Sequence, residues 1–308
     1  MRKKIGALLG WVVTLAILAY LFHTVHYSQV IEALKAARWW TVPVIATMVF
    51  ALYLADSFAI VKTFGWFVAP LSYGEVLLVR GTTYLLALVN YSVGQGAIVY
   101  FVNRAKGVPV LRGTAAVLLI MGTNLLVLLV LASLGLFMAN DLPSQLRMIV
   151  FIAYAGLAFY IAVVAWKPAW LKNRPIFDVL LSAGVTGHLK AMLVRLPHIL
   201  SLVIFTYTSM AAFGVVVDPA KAIFYLPIIY FVAVLPISFQ GLGTSQALMI
   251  LFFAPYSEAA TADGKRAAVL TASLVSQALA TSIQVLIGAV CMRSKLARGL
   301  RQPAPETK

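Results

Sequence analysis

Long apolar stretches separated by short polar segments make up most of the chain. A helix that crosses a bilayer needs about 20 predominantly apolar residues. Stretches of this length lie at about residues 5–22, 41–67, 113–138, 148–166, 198–217 and 267–292. The pattern therefore predicts six transmembrane helices. Between the first two, residues 28–40 have the apolar spacing of an amphipathic helix, which predicts a helix at the membrane surface.

Two further apolar regions are each interrupted by a polar segment that contains glycine. The segments are 90–96 and 236–246, and their apolar arms lie at 76–89 and 97–102 and at 222–237 and 247–254. Because the arms are shorter than a full span, each region predicts a re-entrant hairpin of two half-length helices. Such a hairpin enters and leaves the membrane on the same side. One ordinary span in each place, giving eight spans in all, is the alternative.

The composition is typical of a membrane protein. Of the 308 residues, 62% are hydrophobic and only 11% are charged, and the mean hydropathy is +0.96. A typical soluble domain has about 25% charged residues, because polar side chains must cover its surface. The composition thus excludes a soluble enzyme, a disordered protein and a secreted disulfide scaffold. The single cysteine, Cys291, also excludes a disulfide within the chain.

The net charge of +15 is concentrated in four segments, at residues 1–4, 104–112, 167–195 and 293–308. The hairpin topology places all four segments on one side of the membrane. Since basic loops stay in the cytoplasm, this predicts a bacterial inner-membrane protein with cytoplasmic N- and C-termini. Topology accounts for the charge, so no nucleic-acid partner is predicted.

The order helix, helix, hairpin, helix occurs twice, in residues 5–138 and 148–292, and the second copy has the opposite orientation. Inverted repeats with broken helices are typical of secondary transporters. We therefore predict an all-α polytopic membrane protein with six full transmembrane helices and two re-entrant hairpins in a 3+3 inverted repeat. Residues 1–308 would form one integral membrane domain, in which 293–308 is a basic cytoplasmic tail.

The two glycine-containing segments supply most candidate substrate-binding residues. Glycine permits tight turns and close backbone approach, and free N–H groups at the start of a half-helix attract an anion. The alternative is that these residues only complete a helix break. The candidates are Asn90, Ser92, Gly94, Gln95, Gly96 and Arg104, and Pro236, Ser238, Gln240, Gly241, Gly243, Thr244 and Gln246.

Asp56 and Arg80 are the remaining candidates, because each is an ionisable residue in an apolar segment. A charge at membrane depth is costly unless it is paired or hydrated. A structural ion pair and a headgroup- or proton-binding role are both consistent with the sequence. His188 and His198 are expected at the lipid headgroups. The sequence has no metal-binding or catalytic constellation, so neither a metal, a cofactor nor an enzyme activity is predicted.

Both segments resemble signatures of a known family. Residues 90–108 resemble the first signature of the lysylphosphatidylglycerol synthase transmembrane-region family, whose members are also called flippase-like domain proteins. Residues 235–246, LPISFQGLGTSQ, are similar to the second signature, Leu-Pro-x-Ser-Pro-Gly-Gly-Leu-Gly. Phe239 and Gln240 stand in place of the usual Pro-Gly. The resemblance does not extend to the aminoacyl-transferase domain of the bifunctional synthases, so it does not imply lipid aminoacylation.

The resemblance implies a flippase that moves a phospholipid or a lipid-linked headgroup between leaflets. Arg80 and Arg104 would attract the phosphate of an anionic lipid, and transport would be passive or ion-coupled. The alternative is a non-transporting accessory subunit of a lipid-modifying or envelope-biosynthesis enzyme. The expected partners are therefore membrane lipids and, for the alternative, envelope-biosynthesis proteins. The sequence does not specify the oligomeric state.

Overall fold

A computed structural model of the chain describes residues 28, 31–32, 35, 37–89, 91–138, 144–172, 174–234 and 243–293. The predicted first transmembrane helix, most of the predicted surface helix and the basic tail lie outside the described residues. So do four of the candidate site residues in the second glycine-containing segment, Pro236, Ser238, Gln240 and Gly241.

The described part of the chain is helical and contains no β-strand. Its helices are α1 (Thr41–Phe67), α2 (Tyr73–Val89), α3 (Tyr91–Lys106), α4 (Val110–Met138), α5 (Ser144–Trp166), α6 (Ala169–Lys172), α7 (Pro175–Ala212), α8 (Pro219–Val234), α9 (Thr244–Phe253) and α10 (Ala262–Met292). A 3₁₀ turn at Ala254–Tyr256 follows α9.

Five of the described helices, α1, α4, α5, α7 and α10, are long and apolar enough to cross a membrane. They coincide with five of the six predicted spans, and the sixth lies outside the described residues. This part of the chain therefore has the helices of a multi-pass membrane protein. Apolar length predicts them well because a helix satisfies its own backbone groups and leaves only side chains to face lipid.

The basic connection at 167–195 differs from the prediction, because most of it is helical. Helix α7 begins at Pro175 and continues through Pro197, so the predicted span at 198–217 is the second part of a longer element. Gly184 divides this element with a φ of 58° and a ψ of −176°, a conformation that favours glycine. Lysine and arginine are good helix formers, and for that reason a basic segment need not be a loop.

The contacts divide the chain into two compact units. Among the described residues, unit I comprises those within 49–127, 151–201 and 281–293, and unit II comprises those within 28–48, 128–150 and 202–280. In unit I the apolar core includes the fully buried Phe64 of α1, Phe101 of α3 and Leu119 of α4. Glycine allows close packing there, since a Cβ on Gly288 of α10 would lie 3.0 Å from the Gly81 carbonyl oxygen of α2.

Several of the helix contacts within unit II are made by neutral groups. The rings of Tyr225 in α8 and Phe252 in α9 are stacked with centroids 5.0 Å apart. Helix α4 approaches α8 so closely that a Cβ on Gly135 would lie 2.6 Å from the Phe224 carbonyl oxygen. Thr206 of α7 forms a hydrogen bond with the hydroxyl of Tyr230 in α8. Close backbone approach and hydroxyl hydrogen bonds are the usual contacts between helices in membranes.

Candidate functional site

Three charged side chains meet inside unit I. Asp56 lies near the middle of α1, and its two carboxylate oxygens accept one hydrogen bond each from Arg80 of α2 and Arg195 of α7. The side chains are buried, with 3% of Asp56, 14% of Arg80 and 10% of Arg195 exposed. We call these three residues the Asp–Arg cluster.

Neutral groups surround the Asp–Arg cluster. Arg195 Nε donates a hydrogen bond of 2.9 Å to the side-chain oxygen of Asn124 in α4. Arg80 contacts the Thr83 hydroxyl oxygen at 3.4 Å, and its guanidinium lies over the ring of Tyr84, 5.0 Å from the centroid. One polar network thus connects α1, α2, α4 and α7.

The Asp–Arg cluster carries a net charge of +1, because one carboxylate faces two guanidiniums. Charges are tolerated in an apolar helix bundle only when they are paired or hydrated. Asp56 therefore reduces the repulsion between the two arginines and fixes their positions. The excess positive charge makes the cluster a place where an anion would be stabilised, and guanidiniums match the geometry of phosphate oxygens.

The Asp56–Arg80 pair anticipated from the sequence is present as an ion pair, and its role in binding a headgroup stays a prediction. Arg195 is a part of the cluster that the sequence reasoning missed. It was assigned to the cytoplasmic basic segment, yet the residue is only 8% exposed. The signal that could have found it is its position two residues before Pro197, within one turn of an apolar run.

His188 and His198, which are expected at the lipid headgroups, both contact neighbouring helix groups. His188 is 7% exposed, with Nδ1 2.7 Å from the Gly184 carbonyl oxygen and Nε2 2.6 Å from the Tyr160 hydroxyl. A carbonyl only accepts hydrogen bonds, so Nδ1 carries the proton and the tyrosine donates to Nε2. His198 Nδ1 lies 3.3 Å from the Leu52 carbonyl oxygen in α1. Both histidines are therefore integrated into helix contacts.

The first glycine-containing segment, 90–96, forms a shorter turn than predicted. Only Asn90, which lies outside the described residues, separates α2 from α3, and residues 91–96 are helical. Ser92 thus lies in the first turn of α3. Gly94 serves close packing of the two helices, because a Cβ there would lie 3.0 Å from Ala87 Cβ and 3.2 Å from the Thr83 carbonyl oxygen. The expected wide polar turn is replaced by a tight helical pair.

Gln95 and Gly96 line a groove between α3 and α4. Arg104 lies in the last turn of α3.

A capping box fixes the start of α2. Ser72 N–H donates to the Glu75 carboxylate at 2.9 Å, and Glu75 N–H donates to the Ser72 hydroxyl at 3.2 Å. Together with Lys106, these contacts hold the pKa of Glu75 below its usual value.

The described end of the second glycine-containing segment forms the start of α9. Gly243 has a φ of 82° and precedes the helix, and Thr244 is its first residue. The Gly243 N–H donates a hydrogen bond of 2.7 Å to the side-chain oxygen of Gln246. Gln246 is 2% exposed, so its amide caps the helix from within unit II.

No group of three or more His, Cys, Asp or Glu side chains in the described ranges could hold a metal ion. Comparison of the chain with protein-family models gives no match, and comparison with curated proteins gives no significant match. The resemblance in residues 90–108 and 235–246 therefore remains a prediction from those residues. The class that the helices define is a multi-pass membrane protein.

Proposed function

We propose that the protein moves a phospholipid or a lipid-linked headgroup between the leaflets of the bacterial cytoplasmic membrane. In this proposal the headgroup phosphate binds Arg80 and Arg195, and both termini are cytoplasmic. Transport is passive or coupled to an ion. The glycine-containing segments at 90–96 and 236–246 are the other expected contacts of the headgroup.

The Asp–Arg cluster is the observation that supports this proposal most strongly. Two largely buried guanidiniums share one carboxylate inside unit I. An anionic headgroup that reaches the cluster brings the charge that completes the neutralisation. Arginine binds phosphate oxygens in pairs through its planar group. The cluster therefore favours an anionic phospholipid over a zwitterionic one, in which a headgroup cation already balances the phosphate.

The proposal includes the two predicted re-entrant hairpins, and the lengths of their helices support it. Helix α9 has 10 residues, a length of about 15 Å, or roughly half of a hydrocarbon core of about 30 Å. Helices α2 and α3 have 17 and 16 residues, at or below the lower limit of about 17 for a span. Short, discontinuous helices are typical of transporter sites.

Reconstitution into liposomes tests the proposal. The vesicles contain a trace of headgroup- or chain-labelled fluorescent lipid, and a membrane-impermeant reductant reports the fraction exposed in the outer leaflet. We expect the protein to accelerate exchange of phosphatidylglycerol more than that of phosphatidylcholine. Arg195→Gln should remove most of this acceleration, whereas Arg266→Gln, whose side chain is 52% exposed, should retain it.

The same assay distinguishes the accessory role. A folded protein that accelerates exchange of neither lipid contradicts the transport proposal and favours a non-transporting subunit. Equal acceleration of both lipids, unchanged by Arg195→Gln, would mean that the Asp–Arg cluster does not select the headgroup. Size-exclusion profiles of all variants in detergent confirm that each tested protein is folded.

A further inference from the structure

A groove with a volume of about 440 Å³ runs between α3 and α4 in unit I. The residues that define it are mostly apolar and come from both helices. They include Gln95, Gly96 and Tyr100 of α3 and Val110, Leu118 and Met121 of α4. Its volume lies within the range of about 300–1,000 Å³ that is usual for ligand sites.

Glycine creates the shape of this groove. An added Cβ on Gly96 would have no other heavy atom within 4 Å, so the absence of a side chain leaves open space. Further along, a Cβ on Gly113 of α4 would lie 3.1 Å from Val99 Cγ1, which shows that the helices approach closely there. Val99 and Val117 are buried and form the floor, whereas Tyr100 and Leu118 are 50% and 41% exposed and form the rims.

The length of the groove matches one leaflet of a bilayer. On α4 it extends from Val110 to Met121, which corresponds to about 16 Å at the rise of an α-helix. This is roughly half of the hydrocarbon core, which is about 30 Å thick. An acyl chain from one leaflet therefore spans the same distance as the groove.

The charge at one end of the groove indicates which kind of lipid supplies the acyl chain. Arg104, Lys106 and Arg112 lie where α3 ends and α4 begins, next to Val110, and no acidic residue occurs between 103 and 112. Lys106 and Arg112 contact Glu75 and Asp178, and the arginine side chain is still 45% exposed. A basic end on an apolar groove is complementary to a phosphate attached to an acyl chain.

We infer that the groove between α3 and α4 binds one acyl chain of an anionic phospholipid, with the lipid phosphate at the basic end near Val110. The inference deepens the proposed function, on which it rests for the identity of the substrate: the lipid held in the groove is poised beside the helix pair that carries Arg80. Gln95 lies at the opposite end of the groove from the basic residues, and the acyl chain extends as far as this residue.

Photolabelling of the full chain tests this inference. The protein is reconstituted in vesicles containing phosphatidylglycerol with a diazirine on one acyl chain, irradiated, digested and mapped by mass spectrometry. We expect adducts concentrated on residues 95–121. Helix α5 is the internal reference for labelling by bulk lipid, because its Phe151 and Phe159 are 75% and 74% exposed and contact any surrounding lipid.

Two matched substitutions sharpen the test. Gly96→Trp fills the groove, and Gly156→Trp adds the same side chain to α5, where a Cβ also meets no heavy atom within 4 Å. The first should lower adducts on 95–121 by about tenfold, since an excluded chain loses the burial of several methylenes. The second should leave them unchanged. Both variants are checked for unaltered thermal unfolding.

Three outcomes would overturn the inference. Adducts that follow surface exposure, with α5 labelled as densely as 95–121, would mean bulk lipid contact only. Labelling that Gly96→Trp does not reduce would place the chain elsewhere. A photoreactive phenylalanine at Leu118 that crosslinks to residues 5–22 would make the N-terminal apolar segment the occupant. Retained groove labelling without lipid exchange would instead contradict only the transport function.

Discussion

The two helix pairs that contain the glycine segments occupy corresponding places in the predicted repeat but differ in chemistry. The α2–α3 pair carries Glu75, Arg80, Arg104 and Lys106, and Arg80 joins the buried Asp–Arg cluster. Among its described residues the α8–α9 pair has one charged side chain, the exposed Lys221 in the first turn of α8, which contacts Tyr256. Stacked rings, close backbone contacts and the Gln246 amide stabilise it.

This difference means that the two helix pairs do not offer equivalent sites. Among the described residues, the α2–α3 pair contributes the Arg80 guanidinium to a buried cluster, whereas the α8–α9 pair contributes an exposed ammonium, a tyrosine hydroxyl and the buried Gln246 amide. Substitutions should therefore disturb unit I through electrostatics and unit II through packing and capping. Each prediction below tests one side of that contrast.

The largest effect is expected for Asp56→Asn. This change leaves Arg80 and Arg195 buried without a carboxylate, and an uncompensated buried charge costs about 3–5 kcal/mol of unfolding free energy. Asp263→Asn is the matched control, because that side chain is 43% exposed and 3.9 Å from Arg266. The control should lose less than about 1 kcal/mol. Thermal unfolding in detergent, followed by tryptophan fluorescence, measures both.

A triple variant checks the cause of that loss. Replacing Arg80 and Arg195 with Gln in the Asp56→Asn protein removes every charge of the cluster, and most of the stability should return, since a buried ion pair contributes little beyond its neutral replacement. If Asp56→Asn alone unfolds at the wild-type temperature, the arginines are hydrated and the electrostatic account of unit I is wrong.

Next in size is Gly135→Ala in unit II. The new Cβ would lie 2.6 Å from the Phe224 carbonyl oxygen, and overpacking against backbone should cost roughly 1–2 kcal/mol after the gain in helix propensity. Gly94→Ala in the α2–α3 pair should cost less, because its nearest contact, at 3.0 Å, is the Ala87 side chain. Gly96→Ala is the control and should be neutral or slightly stabilising. Equal effects at Gly135 and Gly96 would contradict the packing account.

Gln246→Leu should have a smaller effect, of about 1 kcal/mol. It removes the acceptor of the Gly243 N–H in a buried position, and an unsatisfied buried donor is costly. Gln246→Glu retains an oxygen acceptor and is the conservative comparison. Hydrogen exchange at the start of α9 measures the loss of the cap. Unchanged protection in Gln246→Leu would remove the capping role from this residue.

The smallest expected effect is the pH dependence at Glu75. Because its pKa is lowered in the folded state by Ser72 and Lys106, the stabilisation is complete above the ordinary pKa of the carboxyl group. It is lost as the pH falls through the lowered folded value. Glu75→Gln should therefore lower the melting temperature at neutral pH and flatten its acid-side decline. Parallel melting curves of mutant and wild type at every pH would contradict this.

Much of the helical framework could be predicted, because the length of an apolar run directly reports whether a helix can lie in lipid. The Asp56–Arg80 ion pair could also be predicted, since a charged side chain in an apolar helix needs a partner of opposite charge and the apolar segments contain few such residues. Counting charges along the sequence did not predict that Arg195 belongs to the Asp–Arg cluster. Pro197 looked like the boundary of a span, but helices in membranes tolerate proline when neighbouring groups satisfy the freed backbone.

The roles of the glycines in the first glycine-containing segment could be predicted only in part. Glycine was interpreted as a sign of a turn, yet Gly94 and Gly96 lie inside α3. Their value in the structure is the absence of a side chain, which allows close packing at one position and opens a groove at the other. Sequence alone does not distinguish these uses, because both depend on which helix lies opposite.

The most direct test of the central claim is lipid exchange by Arg80→Gln. Asp56 keeps Arg195 as its partner in this variant, so the protein should fold with nearly wild-type stability. Loss of one guanidinium from the anion site should slow phosphatidylglycerol exchange by about tenfold or more, since charge-assisted hydrogen bonds contribute about 1.5–3 kcal/mol. Adding Asp56→Asn should not restore it. Exchange at the wild-type rate in Arg80→Gln, or recovery in the double variant, would contradict a headgroup-binding role for the Asp–Arg cluster.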